Sequence, residues 1–275
     1  MNTTNLVLGK NTTYDNEYAP SRLQRIQRSL GRASIKNIAS FTGYDVWRLY
    51  EMTYLGVNGL PKVCMGVMYV PSSSEYIVES KSLKLYELSF TMTKFESLNM
   101  VKEVFQRDLS NLLECDVVVE LFELNNKEFK LENIKGTCLE EQDFVKELTF
   151  KDFNYDPQLL TIENNSKKIS KTYYTNLFRS LCPVTSQPDH ACIKIEYKGL
   201  QLSEPGLLSY LVSLRNHQGF HEQCVELIYS DIFNALSPEQ LTVSAYFTRR
   251  GGIDINPTRL SIEIKTPSSF RTIRQ

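Results

Sequence analysis

The sequence lacks several features that would assign it to common classes of protein. No apolar run approaches the roughly 18 residues that a membrane helix needs. The charges almost cancel, with 31 Lys and Arg against 32 Asp and Glu, and there is no dense basic stripe. Binding to nucleic acid mainly through its phosphates is therefore not expected. Neither GxGxxG nor GxxxxGK[ST] occurs, so a nucleotide would not be held as in Rossmann or P-loop proteins.

A CxxC pair is also missing, so a zinc site would have to be built from scattered ligands. The first ten residues are polar and lack the apolar core of a signal peptide. We therefore expect a cytoplasmic protein whose cysteines are free thiols. They are Cys64, Cys115, Cys138, Cys182, Cys192 and Cys224.

What is present is the composition of a globular protein long enough for two domains, with 275 residues of which 41% are apolar and 23% charged. Apolar periodicity predicts strands, a short helix, a longer helix and a strand in the first half, at 45–70, 83–90, 98–113 and 117–122. The second half repeats this order, with strands at 193–197, 241–247 and 260–264 and helices at 207–214 and 221–233.

Side chains in the two halves also correspond. A shift of 124 positions places Tyr86 on Tyr210, and a shift of 123 places Asp108 on Asp231. This agreement favours an internal duplication. We predict an N-terminal arm, a first repeat, a linker and a second repeat, at 1–40, 41–150, 151–170 and 171–275.

A proline-flanked loop, LCPVTSQPD at 181–189, has a thiol near one end and a carboxylate at the other. If the loop folds back, Cys182 and Asp189 can meet at one substrate, as nucleophile and proton donor. The alternative is a structural thiol and a turn carboxylate.

His221 and Glu222 begin a predicted helix. A carboxylate there can accept two hydrogen bonds from the guanidine-like edge of a purine. Zinc binding by His221, Cys224 and Cys182 is a second possibility, although the scattered ligands make it a weak one. Packing in the core is the structural alternative for Cys224.

Two further segments can meet phosphates. In ESKSLK, at 79–84, a turn precedes a helix with two lysines three positions apart. In Arg249-Arg-Gly-Gly252, the glycines permit close backbone approach and the arginines can clamp an anion. A capped surface helix and a solvated hairpin end are the respective alternatives.

Together, these segments resemble one family. The matching stretches are ESKSLKLY, LCPVTSQPD, FHEQCV and TRRGGIDINP, with shorter ones at 8–10, 45–47 and 271–275. The sequence is similar to the long form of the NADPH-dependent 7-cyano-7-deazaguanine reductases of queuosine biosynthesis. The resemblance covers nearly the whole chain.

The resemblance implies an α+β fold of two tandem tunnelling-fold repeats, each an antiparallel sheet with two helices on one face, and a homodimer. It also implies reduction of the nitrile of 7-cyano-7-deazaguanine to the primary amine 7-aminomethyl-7-deazaguanine, through a covalent cysteine thioimide, for tRNA queuosine modification. NADPH would be the reductant. Neither a metal nor direct contact with nucleic acid or a membrane is implied.

The resemblance assigns roles by position. Cys182 and Asp189 become the catalytic nucleophile and proton donor. The substrate-binding residues become Val78, Glu79, Ser80, His221 and Glu222. The residues that contact NADPH become Ser80, Lys81, Arg250 and Gly251.

Two departures from the family's usual pattern stand beside these matches. His190 follows Asp189 where tryptophan is usual, and Glu87-Leu88 stands where Leu-Asn is common. Three other functions compete: a cysteine-dependent nitrile hydrolase, a zinc-dependent cyclohydrolase of the tunnelling fold, and a non-catalytic purine-binding protein. NADPH oxidation distinguishes the reductase from a hydrolase, metal analysis distinguishes it from a zinc-dependent cyclohydrolase, and turnover distinguishes it from a binding protein.

Overall fold

A mostly antiparallel sheet of eight strands extends through both halves of the chain. The computed structural model describes residues 14–15, 17–124, 130–151, 153–262 and 270–275. The strands are β1 Arg25–Gln27, β2 Thr42–Leu55, β3 Pro61–Pro71, β4 Tyr76–Val78, β5 Val118–Phe122, β6 Thr137–Cys138, β7 Lys168–Leu181, β8 Pro188–Leu200, β9 Gln240–Phe247 and β10 Ile253–Leu260. The large sheet has the order β5-β3-β2-β10-β9-β8-β7-β6, and β1 pairs separately with β4.

The first half contributes β5, β3 and β2, and pairing of β2 with β10 joins them to the strands of the second half. Each pair in this sheet is antiparallel except β6 with β7. Because one continuous sheet carries both halves, groups at the strand ends of either half have fixed relative positions.

Within the described ranges, five α-helices accompany the sheet: α1 Arg28–Arg32, α2 Ser80–Ser89, α3 Leu98–Leu113, α4 Glu204–Ser213 and α5 His221–Leu236. The predicted helix at 98–113 is confirmed. Ser97 caps it by accepting a hydrogen bond from the Met100 N–H at 3.2 Å. Val101, Phe105 and Leu109 recur at helical spacing and are buried, so this amphipathic face forms the core of the first half.

The helices pack against one face of the sheet. In β8, Ile193, Ile195 and Tyr197 are buried in the core of the second half, while Lys194 and Glu196 face the other way, as alternation along a strand requires. The opposite face of the sheet lines a polar cavity of about 460 Å³. The α+β class is therefore confirmed.

Two hydrogen bonds recur in corresponding places. The Tyr86 hydroxyl donates to Asp108 at 2.6 Å, and the Tyr210 hydroxyl donates to Asp231 at 2.6 Å. Both β2 and β7 also carry a bulge, between Leu49 and Met52 in one and Thr175 and Phe178 in the other. These paired features support the predicted duplication.

The strand predicted at 260–264 is displaced. The observed strand, β10, ends at Leu260, and 263–264 lie outside the described residues. Arg259 obscured the pattern because it is fully buried, where a charge is unusual. It is paired there with Asp45 and Glu226.

The predicted arm and linker lie against the rest of the chain. Within 1–40, β1 pairs with β4 and the Arg28 side chain is buried; positions 1–13 and 16 lie outside the described residues. Within the predicted linker, Leu160 is buried in the core of the second half. Leu139, inside the predicted first repeat, belongs to the same core. No helix among the described residues is long and apolar enough to span a membrane.

Candidate active site

The thiol and carboxylate of the predicted loop lie at the end of one β-hairpin. Leu181 pairs with Pro188, so β7 ends immediately before Cys182 and β8 brings Asp189 back beside it. The Cys182 N–H donates to Gln187 O at 2.9 Å, and the Ser186 N–H donates to Cys182 O at 2.9 Å. These bonds close the turn. Asp189 is buried within the strand and not in the loop itself.

Cys182 differs electrostatically from the other thiols. Burial acts to raise its pKa, but hydrogen bonds from Thr185 and from the Val184 backbone outweigh burial and lower it below the ordinary value. Burial raises the pKa of each of the other five thiols, to about 12 for Cys64 and Cys224. Since the thiolate is the nucleophile, Cys182 is the cysteine best suited to attack an electrophile near neutral pH.

A short extended segment before α5 brings the predicted recognition residues to this hairpin. The Leu181 N–H donates to His217 O at 2.8 Å, and the Gly219 N–H donates to Leu181 O at 3.0 Å. Helix α5 then starts at His221, as predicted. The His221 ring stacks on Phe247, with centroids 3.8 Å apart, and its Nε2 is 3.4 Å from Asp189 Oδ1.

The Glu222 carboxylate is buried without a side-chain partner. It is 4% exposed, and no hydrogen bond or ion pair joins it to another side chain in the part of the chain that the structure describes. Burial, followed by the charge of Asp45, raises its pKa to about 7. A buried carboxylate with free acceptor oxygens can bind a ligand that presents two N–H donors.

A buried cluster of charges lies next to Glu222 and joins both halves. Arg28 contacts Asp45 at 2.5 Å, and Arg259 bridges Asp45 at 2.8 Å and Glu226 at 2.9 Å. Glu226 is one helical turn beyond Glu222 on α5. The pairing keeps the pKa of Asp45 low in spite of complete burial. The cluster therefore fixes the start of α5 against β2 and β10.

Arg250 connects the hairpin to the turn between β9 and β10. Its guanidinium forms an ion pair with Asp189 and donates to Pro188 O at 2.9 Å. Gly251 and Gly252 follow with φ of +52° and +75°, a left-handed conformation that favours glycine. The turn can therefore present Arg250 directly to the site.

The remaining predicted residues lie at the start of α2, in the first half. Val78 is buried in β4, whereas Ser80 and Lys81 are exposed. Glu79 caps the helix by accepting from the N–H groups of Lys81 at 2.9 Å and Ser82 at 2.7 Å. Ser80 and Ser82 can cap a helix by residue type, but Glu79 occupies the capping position.

Comparison with known proteins places these features in a family. A family model described as "Nitrile reductase, 7-cyano-7-deazaguanine-reductase N-term" matches residues 14–121, and one described as "QueF-like protein" matches residues 188–266. Curated proteins named NADPH-dependent 7-cyano-7-deazaguanine reductase, from Burkholderia thailandensis and Burkholderia ambifaria, are each 40% identical over 278 residues, covering 100% of both chains. The chain belongs to the family of NADPH-dependent 7-cyano-7-deazaguanine reductases.

A solved structure titled "Crystal structure of the archaeosine synthase QueF-Like in the apo form" also matches. It is 15% identical, with a TM-score of 0.30, and the match covers 38% of this chain and 99% of the other. Such a match is too weak to support an argument about this reductase-family chain.

In this family member, the structure brings Cys182, Asp189, His221 and Arg250 to one hairpin end, with Glu222 beside His221. From α2, Lys84 reaches the 249–252 turn, because a Cβ at Gly251 would be 3.8 Å from Lys84 Cγ. Among the described residues, no hydrogen bond or ion pair joins Val78, Glu79, Ser80 or Lys81 to the hairpin.

Three residues that contribute to the site are not among those predicted from the sequence: Thr185, Phe247 and Arg28. Thr185 lies within the loop that was singled out, and Phe247 ends a strand that was predicted. Nothing in the sequence marked Arg28, since its partner Asp45 is set by the tertiary fold.

The structure gives no support to zinc binding at Cys224 and places the His190 side chain away from Asp189. Cys224 is 1% exposed and packed in the core, and no group of three metal-binding side chains occurs among the described residues. Burial, then the charge of Arg274, lowers the pKa of His190, so this imidazole is largely uncharged near neutral pH. Adjacent strand residues point to opposite faces, which directs His190 away from Asp189.

Proposed function

We propose that this chain reduces 7-cyano-7-deazaguanine to 7-aminomethyl-7-deazaguanine with NADPH. The names of its relatives state NADPH dependence and 7-cyano-7-deazaguanine reductase activity for those proteins. The observation that carries the proposal is the hairpin end, where the one thiol of lowered pKa lies beside the buried Asp189 and close to a buried carboxylate, Glu222, that has no side-chain partner. These three groups match an electrophilic carbon, a nitrogen that needs a proton, and a base with N–H donors.

The first chemical step belongs to Cys182. The Asp189 carboxylate, ion-paired with Arg250, takes the proton of the Cys182 thiol. The thiolate adds to the nitrile carbon, the C–N triple bond becomes a double bond, and Asp189 passes the proton on to the nitrogen. The product is a covalent thioimide whose carbon accepts hydride more readily than the nitrile carbon does. NADPH, when bound, supplies the two hydrides that the conversion of a nitrile to an amine requires. Release of the Cys182 thiolate between the two reductions regenerates the nucleophile.

Recognition of the base rests mainly on Glu222. An ionised carboxylate can accept from the ring N–H and the exocyclic amine of a guanine-like edge, and these charge-assisted bonds are stronger than neutral ones. His221, the first residue of α5, stacks on Phe247, and its Nε2 lies 3.4 Å from Asp189 Oδ1. We assign Val78, Glu79 and Ser80 to the substrate side as the resemblance implies. The Glu79 carboxylate then serves by holding the start of α2.

The cofactor residues fit an anionic nucleotide through side-chain charge. Lys81 makes no ion pair with any described residue, and it lines a cavity of about 220 Å³ with Glu79 and Arg22. Glu79 occupies N–H groups at the start of α2, so the cations of Lys81 and Arg250, with Ser80 and the Gly251 backbone, are the groups available to phosphates.

We also propose a cytoplasmic homodimer that acts on the free base and makes no direct contact with nucleic acid. All six cysteines are free, which suits a reducing compartment. In the described ranges, β5 pairs only with β3 and has an open edge, and the polar sheet face opposite the helices is uncovered. Light scattering of the purified chain tests the dimer.

The decisive experiment incubates the chain with 7-cyano-7-deazaguanine and NADPH. We expect two NADPH oxidised for each amine formed. Without NADPH, intact mass should increase by the whole mass of the nitrile, because addition expels no group. Carboxylic acid formation without NADPH oxidation would instead show a hydrolase, and binding with neither product would show a non-catalytic protein. Zinc-dependent turnover would indicate a cyclohydrolase.

A further inference from the structure

A buried carboxylate in the last turn of α2 has no place in the chemistry described above. Glu87 is fully buried, and its Oε1 has no hydrogen-bond partner. Its Oε2 is 3.3 Å from Lys84 Nζ, one turn earlier on the helix. Lys84 Nζ also lies 2.6 Å from Glu51 Oε2 in β2. Glu87, Lys84 and Glu51 therefore form a charged bridge between the helix and the strand.

This bridge supports the 249–252 turn. The Tyr50 N–H, next to Glu51, donates to Gly252 O at 3.0 Å. A Cβ at Gly252 would approach Glu51 Cδ to 2.4 Å, so Glu51 occupies the space that a side chain would need. Lys84 is also next to the turn but less tightly packed, since a Cβ at Gly251 would be in ordinary contact with Lys84 Cγ, at 3.8 Å.

The second half shows that the fold does not require this carboxylate. Helix α4 has Leu211 at the position that corresponds to Glu87 under the shift of 124, and Leu211 is 2% exposed. A buried carboxylate costs free energy that leucine does not. Burial raises the pKa of Glu87 to about 7, against the lowering effect of Lys84. Glu51 and the buried Cys64 thiol also face it.

We propose that Glu87 is a positioning residue for the nicotinamide nucleotide. It holds Lys84, and Lys84 with Glu51 holds the turn of Arg250 and Gly251 against the helix that carries Lys81. The proposal rests on the proposed function, since it takes that turn and that helix as the nucleotide site. It adds a residue at which this chain departs from the family's usual pattern.

Glu87→Leu tests it by introducing the side chain found at Leu211. We expect KM for NADPH to rise about fivefold to tenfold, the scale of one coupled charged contact, with kcat and the KM for the nitrile substrate within about twofold of wild type. Lys84→Met should have a similar effect, and the double variant little more. Glu87→Gln keeps the shape of the side chain but removes its charge, so it separates the loss of charge from the loss of packing.

The dependence on pH distinguishes positioning from packing. In the wild type, KM for NADPH should rise as pH falls through about 7, because protonated Glu87 no longer pairs with Lys84. Glu87→Leu should lack this component, and the difference between the two profiles removes the titration of NADPH itself. Thermal unfolding checks that both variants fold.

Direct binding of NADPH, followed by its fluorescence, separates this proposal from the proposed function. If wild type reduces the nitrile but Glu87→Leu and Glu87→Gln bind NADPH with unchanged affinity and pH profile, the positioning role is wrong and the function stands. If wild type binds NADPH but does not reduce the nitrile, the function fails, and the variants' affinities still decide the role of Glu87. No NADPH binding by wild type would overturn both.

Discussion

The active hairpin between β7 and β8 has a counterpart between β2 and β3. In one, Leu181 pairs with Pro188, and in the other Leu55 pairs with Pro61. In each half, a later segment hydrogen-bonds to both the N–H and the C=O of that leucine before the longer helix begins. The backbone arrangement around the thiol is thus present twice.

The side chains placed on this shared backbone differ. Cys182 and Asp189 in the second half correspond to Gly56 and Lys62 in the first, and a buried Glu222 corresponds to an exposed Asn99. The first half instead carries the cation-bearing start of α2. The comparison teaches that the reactive groups are local substitutions on a common scaffold, so each can be removed with a matched control in the other half.

The largest effect should come from Cys182→Ala. Without the thiol no covalent adduct can form, and turnover should fall about 10⁴-fold or more, as when a nucleophile is removed from other enzymes. Intact mass after incubation with the nitrile alone is the measurement. Cys115→Ala, a first-half thiol of raised pKa, should retain the adduct. An adduct mapped to Cys192 or Cys224 would overturn the assignment.

Asp189→Ala should come next, with a loss of about 10²–10⁴-fold in kcat, the usual range for a general acid. Binding of the nitrile substrate should persist, since the acid is needed as charge develops on nitrogen. Lys62→Ala, at the corresponding first-half position, should match wild type. An Asp189 variant within about threefold of wild type would remove this carboxyl from the mechanism.

Helix α3, which has a regular apolar period, could be predicted from the sequence, whereas β7, whose alternation changes phase, could not. Val101, Phe105 and Leu109 mark α3 directly. In β7, buried positions fall at Tyr173 before the bulge and at Phe178 after it, which changes the alternation from odd to even residue numbers. This strand was missed for that reason.

The candidate site also has a part that could be predicted from the sequence and a part that could not. The thiol, the acid and the start of α5 are local in sequence, and pattern and resemblance together located them. The donors that lower the pKa of Cys182, the stacking of His221 on Phe247, and the ion pair of Arg250 with Asp189 are tertiary contacts. No spacing in the sequence specifies such contacts.

Glu222→Gln should weaken binding of the nitrile substrate by about 10- to 100-fold, the scale of losing hydrogen bonds to a charged group. In wild type, affinity should fall as pH decreases through about 7, where Glu222 takes up a proton; the glutamine variant should lack that dependence. Asn99→Ala is the first-half control. Equal affinity and an unchanged pH profile in Glu222→Gln would place the base elsewhere.

Through Glu222, a fall in pH should change the stability of the folded protein in the direction opposite to its effect on substrate affinity. Its pKa is raised from 4.5 to about 7 on folding, so its contribution is fully present below pH 4.5 and is lost as pH rises through about 7. Glu222→Gln should therefore reduce the decline in unfolding temperature over that window. Affinity and stability in wild type should change in opposite directions with pH, which separates recognition from a loss of folding.

The smallest effect should come from the pair that spans both halves, Lys81 and Arg250. Either change to Ala should raise KM for NADPH about threefold to tenfold, with turnover retained, because solvent and neighbouring cations screen one lost phosphate contact. The preference for NADPH over NADH should narrow in at least one variant, and Lys62→Ala should change neither quantity.

If both cations face one nucleotide, the effects of the two substitutions on KM should be non-additive in the double variant. Since Arg250 also pairs with Asp189, Arg250→Ala should change kcat more than Lys81→Ala does. Wild-type KM values in both single variants would place the nucleotide elsewhere and leave the thiol assignment intact, because Cys182 was located from a different segment.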